Sequence, residues 1–145
     1  MKVFIYTYKF SKLKNADKRL IIEAVVFLFI ARMTILFLPY SVLKKLLGKH
    51  KHRNIVEPLD IRTIRKVANI IKIASDRLPW KCNCLPQAIA ARHMLKKRNI
   101  SSTLYLGMSK DKEKKIIAHA WLKAGNIPIT GGRDNSEFTE VAYFG

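Results

Sequence analysis

Acidic residues are scarce in this chain: 10 Asp and Glu stand against 28 Lys and Arg, a formal charge of +18 over 145 residues. A field of that sign draws nucleic acid, anionic lipid or an acidic peptide. The basic runs are short (Lys44-Lys45, Lys96-Lys97-Arg98, and Lys112 to Lys115 broken by Glu113), and no aromatic-interleaved basic stripe or zinc-finger spacing accompanies them. Nucleic-acid binding therefore has no motif behind it. Cysteine is scarcer still, with Cys82 and Cys84 one residue apart. A disulfide across that spacing is strained and closes almost no loop. A single C-x-C also lacks the second cysteine pair of a structural metal site, even with His93 and His119 elsewhere in the chain. The chain reads as reduced and cytoplasmic, with no metal or cofactor expected. Glycine-rich phosphate loops, internal repeats and low-complexity tracts are absent too.

A long uncharged run is also missing. Leu20 to Leu38 is mostly apolar, but Glu23 and Arg32 interrupt it and leave only Ala24–Ala31 uncharged between them. A spanning helix needs roughly 20 apolar residues, and charge at membrane depth is costly, so an unassisted span is not expected. No small-residue cleavage site follows, which argues against a signal peptide. The first expectation is a helix buried against the core, with Glu23 and Arg32 each finding a partner in the fold. The second is a helix lying in a membrane interface. Its flanks suit that role, with Lys12, Lys14, Lys18 and Arg19 before it and Lys44, Lys45 and Lys49 after it.

The length fits one domain, residues 1–145, with a helical preface over 1–50 and a core over 55–145. Met1–Lys9 is a short strand or frayed. Lys18–Leu38 is a helix ended by Pro39, and Tyr40–Leu47 is a second with Ser41 as cap and Gly48 as stop. Lys49–Pro58 is a polar connector. Asp60 caps a helix running to Leu78, with Ile61, Ile64, Ala68, Ile71 and Leu78 on its apolar face. Cys84, Ala88, Ala91 and Leu95 recur at helical spacing, with Asn83 as N-cap, Pro86 in the first turn and Asn99 as stop. The period then falls to two: Thr103–Met108, Ile116–Lys123, Ile127–Thr130 and Phe138–Phe144 form an antiparallel set, with Gly125-Asn126 as a turn. Helices first and strands last make an α+β fold.

Within that layout Cys84 and His119 are the chemically informative pair. A thiol at a helix start meets unpaired N–H groups and the positive end of the dipole, which favours thiolate. A histidine on the sheet can be aimed at it. Thiolate, imidazole and helix-end donors are the minimum set for acyl transfer by a cysteine nucleophile. Cys82 is most simply a neighbour in the loop, and Trp121, on the same strand face as His119, either shields the imidazole, contacts substrate or packs in the core.

Four blocks extend this reading: Cys84-Leu85-Pro86-Gln87-Ala88, Leu104-Tyr105-Leu106-Gly107, Ala118-His119-Ala120-Trp121 and Thr130-Gly131-Gly132. Together with Glu23-Ala24, Ala31-Arg32 and Leu38-Pro39, they resemble the leader peptidases of lasso-peptide biosynthesis, the B2 proteins, cysteine peptidases of transglutaminase-like fold. The resemblance implies a cysteine-bearing helix packed on an antiparallel sheet, with Cys84 as nucleophile and His119 as base. Its implied partners are the precursor's leader peptide, a separate leader-binding protein and an ATP-dependent macrocyclase. The third member departs from the pattern. The residue across from His119 falls near Gly131, where the family's aspartate is expected, so Asp134, Thr130 or a backbone carbonyl is left to orient the ring. Gln87, inside the helix, is a poor match to the oxyanion glutamine of papain-like enzymes. Two other functions stay open: a basic membrane- or peptide-binding adaptor without catalysis, and an acyltransferase that shares the acyl-enzyme.

Overall fold

The computed structural model describes residues 13–48, 60–132 and 135–145. The strand or frayed end at Met1–Lys9 and the connector at Lys49–Pro58 lie outside the described residues. Among the described residues four helices come first, α1 (Asn15–Phe37), α2 (Tyr40–Leu46), α3 (Ile61–Arg77) and α4 (Cys84–Lys96). The strands β1 (Thr103–Lys110), β2 (Ile116–Ala124), β3 (Ile127–Thr130) and β4 (Thr139–Phe144) follow, in one antiparallel sheet ordered β3-β2-β1-β4. The α+β architecture is as the pattern of periods predicts.

α4 is the hub. It packs against α1, α3 and three strands. Ala88, Ala90 and Ala91 are fully buried, and side chains this small let two helices and a sheet approach one backbone closely. Met94 and Leu95 fill the same core with Leu104, Leu122, Ala124 and Phe144 from the sheet. The helix ends as its sequence predicts, in a turn where Asn99 takes a left-handed conformation (φ 56°).

α3 starts where Asp60 accepts hydrogen bonds from the Thr63 amide (2.9 Å) and hydroxyl (2.5 Å). These bonds hold the Asp60 carboxyl below its usual range. Its buried face is Ile64, Val67, Ile70, Ile71 and Ala74. Ile61 is left exposed, so the expected face is corrected by a rotation toward Val67 and Ala74. Ser41 does not cap α2: Pro39 holds that position, and its carbonyl accepts from Val42 and Leu43. Leu38 is extended, as a residue before proline prefers, and this stops α1.

α1 begins at Asn15, earlier than the expected Lys18, and is buried along a single stripe of Leu20, Ala24, Leu28 and Ala31. The expectation of a helix buried in the core is therefore corrected to one buried on one side, because α3 and α4 cover only that side. Glu23 and Arg32 do find partners. Arg98, just past α4, grips both Glu23 carboxylate oxygens at 2.8 and 2.9 Å, and Lys97 stands 3.6 Å away. The Arg32 guanidinium donates to the Lys81 carbonyl at 2.5 Å, just before α4. Phe27 stacks on His93 between these ties. α1 is thus fixed along the length of the cysteine helix.

Candidate active site

The chain from Leu78 to Asn83 turns from α3 into α4, and two side chains fix its last carbonyls. Arg32 of α1 holds that of Lys81, and Gln87 of α4 donates from Nε2 to that of Cys82 at 2.8 Å. Gln87 is therefore a brace of the loop before the cysteine. Asn83 occupies the N-cap position, but its side chain makes no capping bond. The expected side-chain cap is corrected: its carbonyl receives the Gln87 amide at 3.4 Å instead. Cys84 is the first helical residue, as expected. Pro86 carries no N–H and that of Gln87 is engaged, so Cys84 and Leu85 hold the N–H groups that helix geometry leaves without an intrahelical acceptor.

Cys84 and His119 line one cavity of about 630 Å³, together with Asn83, Gln87, Thr130 and Gly131. Asn69, Lys72 and Asp76 of α3 form its far wall. Sequence reasoning missed that wall, because an amphipathic helix does not declare which polar stripe faces a site. Cys82 also lines the cavity. Burial pushes its thiol up, against the opposing pull of the Trp80 indole N–H and the Arg32 charge. Both cysteines are free thiols.

His119 sits on β2 beyond the reach of β3, whose pairing with β2 spans Leu122–Ala124. Its Nε2 is 2.7 Å from the Gly131 carbonyl oxygen. A carbonyl only accepts, so Nε2 carries the hydrogen and the neutral ring keeps its lone pair on Nδ1. Gly131 earns this position by having no side chain. It takes φ +82°, and a Cβ there would collide with the Trp121 side chain and lie 2.6 Å from the Ala120 carbonyl oxygen. The register places Gly131 one step beyond the last pair, Leu122↔Thr130. It is therefore opposite Trp121, and His119 reaches it diagonally. Among the described residues, Thr130 Oγ1 is buried without a hydrogen-bond partner. Asp134 lies outside the described residues.

An aromatic layer stiffens the imidazole. Phe138 lies 4.8 Å from its ring centroid and Trp121 6.0 Å, and Trp121 stacks in turn on Tyr105 at 5.6 Å. Gly107, paired with His119 across the sheet, makes room for the indole. A Cβ there would lie 2.7 Å from the Trp121 ring and 3.0 Å from Phe138. Trp121 is 2% exposed and contributes nothing to the cavity wall, so of the three expected roles it packs and shields.

A helix-start cysteine and a strand histidine on one cavity are the arrangement that acyl transfer needs. Comparisons with curated proteins and with solved structures find no match. A profile of the transglutaminase-like superfamily, which includes cysteine peptidases and acyltransferases, matches residues 26–143. The match runs from α1 through the cysteine helix and nearly to the end of β4, so the chain belongs to the transglutaminase-like superfamily.

Proposed function

We propose that the protein is a cysteine peptidase that removes the leader from a ribosomally made lasso-peptide precursor, with Cys84 as nucleophile and His119 as base. The observation that carries this reading is the bond from His119 Nε2–H to the Gly131 carbonyl. It leaves Nδ1 free to take a proton in a cavity that also holds Cys84. The family and the four sequence blocks support it further.

The chemistry follows from these groups. Cys84 Sγ attacks the scissile carbonyl carbon as its proton passes to His119 Nδ1, and a C–S bond forms. The tetrahedral oxyanion is met by the Cys84 and Leu85 N–H groups at the positive end of α4. Collapse breaks the C–N bond, and the imidazolium gives its proton to the departing amine. Water then attacks the thioester with His119 again as base, and releases the leader and the free thiol. An amine in place of water would give transfer instead of hydrolysis from the same intermediate. The proposed partners are the leader peptide, a separate leader-binding protein and an ATP-dependent macrocyclase.

A mass-spectrometric cleavage assay with precursor and leader-binding partner tests this. Wild type is expected to yield leader and core fragments, Cys84→Ala neither, and Cys82→Ala most of the wild-type rate. Full cleavage by a folded Cys84→Ala protein, or none by wild type, would overturn the proposal.

A further inference from the structure

Apolar residues surround α1, and a helix of that composition belongs inside a large core or against lipid. Only the stripe Leu20, Ala24, Leu28, Ala31 is buried. On the other side, roughly half a turn round, Ile22, Val26, Phe29, Ile30, Leu36 and Phe37 follow at helical spacing. They are between 47% and 77% exposed. The surface continues onto α2, where Tyr40, Val42 and Leu46 are also exposed. Isolated apolar residues on a surface are ordinary, but a continuous face along two helices is not.

Charge identifies what covers it. Lys14 and Arg19 stand exposed at one end of this face, and Lys44 and Lys45 at the other. The acids of the same two helices are turned inward: Asp17 pairs with Lys66 of α3 at 2.5 Å, and Glu23 with Arg98. The outward surface is thus an apolar strip with basic ends and no outward carboxylate among its described residues, on a chain of charge +18. A protein partner would be expected to meet charges of both signs at the rim, whereas an anionic headgroup layer asks for this pattern. α1 has the length and composition to cross a bilayer. However, Glu23, Phe27 and Arg32 tie it along the cysteine helix, so crossing would strip the core of one wall.

We infer that the outward face of α1 and α2 seats the protein on an anionic lipid bilayer, with α1 lying in the plane of the interface. The full chain is floated with phosphatidylcholine vesicles prepared with and without phosphatidylglycerol, at low and high salt. Wild type is expected to rise with the anionic vesicles and much less with the neutral ones, and salt should weaken its binding. Leu36→Glu/Phe37→Glu should lower the bound fraction at least about tenfold. Lys44→Glu/Lys45→Glu should lower it about as much and flatten the salt dependence. Both variants should keep the wild-type circular dichroism spectrum. Wild type remaining at the bottom of the gradient with anionic vesicles overturns the inference. So does a wild-type dimer in solution that Leu36→Glu/Phe37→Glu converts to monomer, since a second copy would then be the occupant.

Discussion

At its C-terminal end α4 is closed by side chains. Arg98 binds Glu23 with both arms and its own helix through the Met94 carbonyl at 2.7 Å. Arg92 reaches the Phe144 carbonyl at 2.9 Å. His93 lies against Phe27, and burial pushes its pKa down, with the Arg92 and Lys96 charges adding to the effect. At the N-terminal end the bonds stop short of the helix. Gln87 and Arg32 hold the carbonyls of Cys82 and Lys81, while Asn83 withholds its side chain and a cavity opens in front of Cys84. One helix thus commits its polar groups to the fold at one end and, in the proposed mechanism, keeps them for chemistry at the other. A side-chain cap would have added stability, typically about 1 kcal/mol, yet would have occupied a helix-start donor.

The largest effects are expected at the open end. His119→Ala should remove nearly as much cleavage as Cys84→Ala, since members of a catalytic unit fail together. Gly131→Ala tests the orienting carbonyl. The new Cβ has no space against Trp121 and Ala120, and the left-handed φ disfavours it. Displacing the carbonyl by about 1 Å should cost on the order of 100-fold in kcat, with KM little changed. A kcat near wild type would show that the His119–Gly131 bond is dispensable.

The closed end should answer in stability. Glu23→Gln or Arg98→Met leaves a half-buried charge without its partner, a loss of about 1–3 kcal/mol, read as a lower denaturation midpoint. Cleavage below that midpoint should be unaffected. The pH dependence has a definite sign. The Arg98 hydrogen bond holds the Glu23 carboxyl below its ordinary 4.5, so its contribution is complete above 4.5 and declines as pH falls below that value. His93 lies below its ordinary 6.5, so the unfolded chain takes up that proton first and stability declines as pH falls through 6.5. Acid therefore loosens this end in two stages, and His93→Phe should delete the earlier one. A stability profile flat from pH 7 to 5 in wild type would contradict the burial of His93.

Much of this division is legible in sequence because it follows local rules. The Asp60 cap, Asn99, the Gly125-Asn126 turn and the change of period after Asn99 mark the elements within a residue or two. Cys84 at a helix start and His119 on a strand follow from those marks. What sequence does not carry is what tertiary contact decides. Nothing local says that Arg98 rather than Arg32 meets Glu23, or that Asn83 leaves its helix uncapped. Likewise, no local signal turns Asn69, Lys72 and Asp76 toward the cavity. The outward face of α1 hides for a different reason: a helix with apolar residues on every side shows little periodicity from which to read its buried side.

The smallest effects at the open end concern the two other candidates for orienting His119. The Gly131 carbonyl already accepts the Nε2–H, so in the proposed mechanism that carbonyl sets the tautomer and Asp134 and Thr130 are secondary. Asp134→Ala and Thr130→Val should each cost less than about tenfold in the cleavage assay. Their profiles should differ, because Thr130 Oγ1 is buried at the cavity wall. Valine there removes a buried hydroxyl from behind the cavity wall and leaves the imidazole untouched, so any loss should fall on KM and not on kcat. A larger loss confined to Asp134→Ala, with kcat falling and KM unchanged, would make the carboxylate the orienting group and the Gly131 carbonyl secondary. If both stay within tenfold while Gly131→Ala does not, the backbone alone aims the imidazole, and Cys84 and His119 work as a dyad.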